Sequence, residues 1–309
     1  MNNCSVFSGN ANIELSKKIA KHLGKELGKI DLYRFMDGEI CVKIEENVRG
    51  KDIFLIQPTC SPVNENLMEL LITLDAFRRA SPKRLTAVLP YYGYARQDRK
   101  DRPRVPITAK LVANLLVSAG ADRILTMDLH APQIQGFFDI PVDHLFAAPV
   151  IVSYLKEKNI KDPVIVAPDV GGVKMARALA KRLSAGLAIV DKRRLGPDQI
   201  ETVHVIGEVR NHIAIIVDDL ISTGSTMLEA AEKLHEHGAS SVYGACTHAV
   251  FAEETINRLN SPVFNEIILT DTIPTPKLPQ RFTKLSVSGL LAEAIQRIHL
   301  ETSVSSLFI

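Results

Sequence analysis

Cysteine is scarce in this chain of 309 residues. Cys4, Cys41, Cys60 and Cys246 lie far apart, and no pair has the spacing of a metal knuckle or a redox couple. That pattern predicts reduced, buried thiols in a reducing compartment. Neither sign of charge is in excess: 37 Lys and Arg against 35 Asp and Glu leave a formal net charge of +2. Such a balance exerts no global pull on nucleic acid or on an anionic membrane, so any anion site must be local. No apolar run approaches the roughly 20 residues of a membrane span. The opening MNNCSVFSGN has no basic segment followed by an apolar one, so no signal peptide is expected and the cytoplasm is the expected location. Two nucleotide motifs are also missing. Without a Gly-x-x-x-x-Gly-Lys-Ser/Thr loop, a Walker-type ATPase is excluded, and without Gly-x-Gly-x-x-Gly after a strand, a dinucleotide dehydrogenase is disfavoured.

What is present is an alternation. Short apolar runs stand at 52–57, 84–90, 123–129, 163–167, 213–217 and 266–270, several of them continuous rather than alternating. A strand covered on both faces reads that way, as in a parallel sheet. Between them lie helical patterns at 64–80 (Leu67, Leu70, Leu71, Leu74, Phe77), 107–118 (Leu111, Leu115, Leu116), 172–183 (Val173, Ala176, Leu179, Leu183) and 225–237 (Met227, Leu228, Ala231, Leu234). Strand–helix alternation predicts an α/β chain with doubly wound, mainly parallel sheets. Pro141 and Pro149 flank the weakest stretch, which suggests tandem domains over 1–147 and 148–309 with sites at strand carboxyl ends.

The strongest local signal is IAIIVDDLISTGSTM at 213–227. An apolar strand ends in Asp218 and Asp219; Ser222, Thr223, Gly224, Ser225 and Thr226 then open a helix. Helix N-termini offer outward N–H groups and a dipole that favours an anion. Gly224 lets the backbone approach closely, and four hydroxyls add donors. The two acids repel phosphate but suit neighbouring sugar hydroxyls or a magnesium ion. As capping alone, such a segment would be unremarkable; this one matches the phosphoribosyl diphosphate loop of the phosphoribosyltransferase fold almost position for position.

Further segments resemble class I phosphoribosyl diphosphate (PRPP) synthetases along the whole chain. They are Arg34-Phe35-Met36-Asp37-Gly38-Glu39, the run Tyr91 to Lys100, the run Asp128 to Phe138, Pro168-Asp169-Val170-Gly171-Gly172 and Asp191-Lys192-Arg193-Arg194. The resemblance implies two tandem phosphoribosyltransferase-like domains, the first binding ATP and the second ribose 5-phosphate, with Mg²⁺ as cofactor. It implies transfer of the β,γ-diphosphoryl group of ATP to the C1 hydroxyl of the sugar. By the same resemblance Phe35 stacks on adenine, Asp37, Gly38 and Glu39 meet its edge or ribose, and Arg96 and Gln97 hold phosphate. His130 and Asp169 match metal-associated positions. Lys192 and Arg194 match catalytic cations on a loop that closes over the reacting phosphates. Asn47, Arg49, Arg79, Ser303 and Ser305 fall where the family carries a regulatory anion site between subunits, and homodimers assembled into hexamers are implied.

Three positions depart from that pattern: Ser222 where Asp is usual, Val170 where His is usual, and Leu195-Gly196-Pro197-Asp198 without a further arginine. Two other readings of the chain stay open at this point, a PRPP-consuming transferase and a catalytically silent regulatory paralogue. A nucleic-acid patch over 96–110 is disfavoured, because Asp98 and Asp101 interrupt its cations.

Overall fold

The computed structural model describes residues 3–193 and 202–308. Two compact units divide the chain: Met1–Phe146 with Thr272–Pro274 and Ser286–Ile309, and Ala147–Asp271 with Thr275–Leu285.

In the first unit the chain runs β1 (Cys4–Ser8), α1 (Ile13–His22), β2 (Ile30–Arg34), β3 (Ile40–Ile44), β4 (Asp52–Ile56), α2 (Val63–Arg79), β5 (Arg84–Leu89), α3 (Thr108–Ala119), β6 (Arg123–Met127) and β7 (Val142–Leu145). Five strands pair in parallel in the order β1-β4-β5-β6-β7, while β2 and β3 form a separate antiparallel hairpin. Phe7, Ile53, Leu55, Leu85, Leu89 and Ile124 pack against Leu70, Leu74 and Phe77 of α2 and Val112 and Leu116 of α3. Phe7 meets Phe77 edge to face at 4.7 Å. Each fully buried aromatic or aliphatic side chain here is worth about 1.5–3 kcal/mol. The opposite-facing Val6, Phe54, Ile56, Val88 and Leu125 are buried as well, which explains the continuous apolar runs. On α3 the buried face is Ala109, Val112, Ala113 and Leu116. Leu111 and Leu115, expected on the apolar stripe, are 53% and 39% exposed.

The second unit runs α4 (Ala148–Glu157), β8 (Pro163–Ala167), α5 (Val173–Leu183), β9 (Gly186–Arg193), β10 (Thr202–Ile206), β11 (Ile213–Ile221), α6 (Ser225–Glu236), β12 (Ser241–Ala249), α7 (Thr255–Leu259), β13 (Glu266–Thr270) and β14 (Phe282–Leu285). Its seven strands follow the order β10-β9-β8-β11-β12-β13-β14, parallel except for the edge strand β10. Successive residues face opposite layers. Val164, Val166, Ala214 and Ile216 pack with Met227, Ala230 and Leu234 of α6; Ile165, Ala167, Ile215 and Val217 pack with Ile151 and Leu155 of α4 and Leu179 of α5. This second sheet is doubly wound and mainly parallel, as expected from the alternation; the first is parallel too but adds its strands in one direction only.

The final helix, α8 (Ser288–His299), belongs to the first unit although a cut at residue 147 leaves it with the second half. Its attachment is chemical as well as apolar. It packs on α1. Asp52, 4% exposed, takes Arg84 in a fork of 2.9 and 2.5 Å and His299 Nδ1 at 2.9 Å, and Arg84 also donates to the Ile298 carbonyl at 2.9 Å. An apolar pattern cannot announce a partner more than 200 residues away in sequence.

Candidate active site

The second sheet changes its direction of winding between β8 and β11. From β8 the chain adds β9 and then β10 on one side, and returns to place β11 on the other. Ligands of open α/β sheets bind in the crevice outside the carboxyl ends of strands at such a reversal. Asp169 follows β8 by two residues; Asp218 and Asp219 lie on β11, which extends to Ile221 rather than stopping at Val217. Ile216 is in register with Val166, so the acids continue past the end of β8. Lys192 lies on β9, beyond the last residue that pairs with β8, Ile189, and its backbone pairs with Val203 of β10. The ends of three adjacent strands therefore bear Lys192, Asp169 and the Asp218–Asp219 pair. Arg194 lies outside the described residues.

Asp218 reports how buried this edge is and how close its acids lie. Its carboxyl is pushed up to about 8, first by burial and next by Asp219, with Asp169 a further contributor. The Asp219 N–H donates to Asp218 Oδ1 at 2.9 Å. Asp169 Oδ1 accepts from the Gly172 N–H at 3.0 Å, which fixes the bend after β8. Val170, one of the three departures, is 68% exposed and supports no packing.

Ser222, Thr223 and Gly224 link β11 to α6, whose first turn holds Ser225 and Thr226. Gly224 adopts φ of +74°, a region that a side-chain-bearing residue occupies at a cost, and no side chain caps α6. Orphan N–H groups of the first turn thus remain available to an anion. Thr223 Oγ1 and Ser225 Oγ share a hydrogen bond of 2.9 Å, which orders the hydroxyls along the rim.

In the first unit the predicted residues occupy two places. Phe35, Asp37, Gly38 and Glu39 form the tip of the β2–β3 hairpin. The turn is closed by Phe35 N–H to Glu39 O at 2.8 Å, Gly38 N–H to Phe35 O at 2.9 Å and Glu39 N–H to Asp37 Oδ1 at 3.1 Å. Phe35 is 50% exposed and meets Tyr33 edge to face at 5.5 Å. Arg34 pairs with Glu65 of α2 at 2.8 Å. Gly38 and Glu39 line a groove of about 440 Å³ with Asn64, Glu65, Met68 and Ile72 of α2.

Arg96, Gln97 and His130 follow the neighbouring strands β5 and β6 at their carboxyl ends, all three exposed. Asp98 accepts from Gln133 at 2.8 Å, which brings the two segments together, and Gln97 Oε1 accepts from Thr108 at 2.5 Å. Gly93 closes on Thr59, where a Cβ would stand 2.4 Å from the Thr59 carbonyl. Tyr94 donates to Asn64 at the start of α2, so the hairpin groove and the Arg96 segment share that helix end. Asp128, two residues before His130, has φ of +38°, a costly conformation of the kind found at functional sites.

Arg49, Arg79, Ser303 and Ser305 are exposed and stand elsewhere. Arg49 precedes β4 and Arg79 precedes β5, at the amino ends of the strands. Arg79 is occupied by Asp75 at 2.6 Å, and the Arg49 N–H is held by Asn47 at 3.1 Å. Ser303 gives its carbonyl to Arg297 of α8 at 2.9 Å, and its hydroxyl accepts from the Ser305 N–H at 3.2 Å.

Magnesium needs hard oxygen donors, and the carboxylates here supply them. Among the described residues no group of three or more His, Cys, Asp or Glu is arranged to hold a metal ion. The carboxylates of Asp169, Asp218 and Asp219 suit a cation that keeps waters and substrate phosphate oxygens as ligands.

Residues 4–120 match the family model of the N-terminal domain of ribose phosphate pyrophosphokinase, and residues 194–309 match that of the phosphoribosyl synthetase-associated domain. A ribose-phosphate pyrophosphokinase of Fusobacterium nucleatum is 54% identical over 99% of this chain and 98% of its own length. Ribose-phosphate pyrophosphokinase 2, chloroplastic, of Arabidopsis thaliana is 56% identical over 98% of this chain and 77% of its own. The crystal structure of the phosphoribosylpyrophosphate synthetase from Mycobacterium smegmatis superposes with a TM-score of 0.91 at 42% identity, covering 97% of this chain and 99% of that one. The chain belongs to the ribose-phosphate pyrophosphokinase family and carries that family's activity.

Proposed function

We propose that this chain divides its reaction between its two units: the first binds ATP and the second binds ribose 5-phosphate, whose C1 hydroxyl takes the β,γ-diphosphoryl group to give PRPP and AMP. The observation that carries the reading is the uncapped start of α6 beside the Asp218–Asp219 pair at the winding reversal. The N–H groups and hydroxyls of Ser222, Thr223, Gly224, Ser225 and Thr226 hold the 5-phosphate. Asp218 and Asp219 accept from sugar hydroxyls. Phe35 stacks on adenine, Asp37, Gly38 and Glu39 meet the nucleoside, and Arg96 and Gln97 hold ATP phosphates, a task for which a planar guanidinium is suited.

A bond forms between O1 of the sugar and the β-phosphorus as the bond from that phosphorus to the α,β-bridging oxygen breaks, and the O1 proton passes to solvent. Negative charge grows on the leaving oxygen and is neutralised by Lys192 and Arg194. Asp169, in the second unit, would offer Mg²⁺ a carboxylate oxygen, and His130, in the first, is proposed as a metal-associated position of that unit; the ion when bound draws charge from the transferring phosphates. In this proposal the chain acts in the cytoplasm as a homo-oligomer built from dimers. Burial raises the Cys4 and Cys60 thiols to about 11, while Cys41 is only half-buried. No helix among the described residues is long and apolar enough to cross a membrane.

The test is an assay with ATP, ribose 5-phosphate and Mg²⁺, with and without added phosphate. AMP and PRPP should appear in equal amounts and together. ATP binding without AMP would mark a silent paralogue, and diphosphate release from PRPP driven by a free base would mark a transferase.

A further inference from the structure

A backbone phosphate cradle poses a problem that its own residues do not solve. Every peptide unit carries a carbonyl as well as an N–H, and the carbonyl repels an anion. In a trans peptide the two point in opposite directions, so fixing one fixes the other. The carbonyls of the linker between β11 and α6 are held from behind by the segment that contains α7. Ser222 O accepts from Thr255 Oγ1 at 2.5 Å and from the Ala252 N–H at 3.2 Å. Thr223 O accepts from Arg258 Nη1.

We infer that Thr255 and Arg258 are positioning residues for the ribose 5-phosphate cradle, acting through the carbonyls of Ser222 and Thr223. This inference rests on the reading that residues 222–226 bind the sugar phosphate. Anchoring Ser222 O turns the Thr223 N–H away from α7, and anchoring Thr223 O does the same for the Gly224 N–H. Both donors then face the side where the first turn of α6 opens. The two anchors are three residues apart and so share one face of α7. Thr255 and Leu259 are fully buried, and Leu259 belongs to the core of the sheet, so the support is rigid. The fit against Gly224 is close: a Cβ there would stand 3.1 Å from Leu259 and 3.3 Å from Thr255. Arg258 adds a positive charge behind the loop, favourable to an anion in front of it.

The test is steady-state kinetics of the full-length protein with ATP, ribose 5-phosphate and Mg²⁺. Thr255→Val keeps the shape and removes the donor; Thr255→Ser restores the donor; Arg258→Gln removes the charge at a partly exposed position, should Thr255→Val fail to fold. Ser222 O keeps the Ala252 N–H when Thr255 Oγ1 is lost, and Thr223 O lies at an exposed position, so removing either anchor weakens binding by about twofold to tenfold. The KM for ribose 5-phosphate should rise by that factor in Thr255→Val and Arg258→Gln, with KM for ATP unchanged and Thr255→Ser close to wild type. Thr226→Val, inside the cradle, separates the two levels of the argument. If Thr226→Val raises the sugar-phosphate KM while Thr255→Val and Arg258→Gln do not, the cradle stands and the positioning role is overturned. If Thr226→Val also has no effect, the cradle reading falls and this inference falls with it. Equal losses in Thr255→Ser and Thr255→Val would likewise overturn it, because a donor would not then be what matters.

Discussion

The two units carry their candidate residues on different topologies. The second sheet reverses its winding between β8 and β11, and its candidate residues gather at the ends of β9, β8 and β11. The first sheet runs β1-β4-β5-β6-β7 without a reversal, and its candidate residues ride on a hairpin tip and on the loops after β5 and β6. A reversal produces a crevice from the path of the chain alone. Where there is none, exposed loops must supply the ligand-facing groups, and their conformation is fixed by particular contacts. Asp98 to Gln133, Tyr94 to Asn64 and Arg34 to Glu65 are those contacts here.

The largest effect expected from this comparison concerns charge. Lys192→Ala should lower kcat by about 10²–10³, the usual cost of removing one donor to developing charge, with the thermal unfolding midpoint unchanged. Turnover near wild type would remove the second unit's cation from the chemistry.

A second contrast is structural. Asp52 joins Arg84 and His299 in the first unit, where α8 returns from the end of the chain. Asp52→Asn leaves Arg84 without its fork, and denaturant unfolding should show a loss of about 3 kcal/mol. The corresponding pair in the second unit, Lys158 with Glu266 at 2.5 Å, is more exposed on its lysine side. Lys158→Met should cost about 1 kcal/mol or less. Equal losses would mean that α8 contributes no special closure.

Third, Phe35 is half exposed on a hairpin tip and packs into no core. Stacking of a base on an aromatic ring is worth about 1–3 kcal/mol, so Phe35→Ala should raise the KM for ATP by about tenfold. The midpoint of unfolding and the KM for ribose 5-phosphate should stay where they are.

A further contrast is a pH dependence. Asp218 is raised from the ordinary 3.8 to about 8 in the folded protein. A raised folded value means that the native state holds the proton more tightly than the unfolded chain does. The stabilisation is therefore fully present below about 4 and is lost as pH rises through 8. In protein free of ligand and divalent cation, the melting temperature of wild type relative to Asp218→Asn should fall between pH 5 and pH 8.5. A constant difference would show that burial and the neighbouring Asp219 do not raise Asp218.

Legibility in the sequence follows the same division. Strands 163–167 and 266–270 have the predicted bounds, because burial on both faces writes itself as a continuous apolar run. The Asp218–Thr226 segment was legible because strand, acids, glycine and hydroxyls are contiguous. The helix behind it was not: Thr255 and Arg258 meet the loop only through a connection of about thirty residues, and neither residue type is unusual on a short helix. The hairpin at 30–44 does alternate, with Ile30, Leu32, Ile40, Val42 and Ile44 around Asp37-Gly38, but its runs are short beside the continuous apolar strands, and the attachment of α8 to the first unit, through α1, Asp52 and Arg84, has no local signal. Phe35, Arg96 and His130 enter as candidates only through resemblance, since an exposed residue on a loop carries no pattern of its own.

The most direct measurement is calorimetric titration of ribose 5-phosphate and, separately, ATP into wild type and into a Ser225→Ala, Thr226→Val double variant. A cradle at the start of α6 predicts that the sugar phosphate binds the variant at least about tenfold more weakly, with ATP affinity unaltered. Equal affinity of both proteins for ribose 5-phosphate would contradict it.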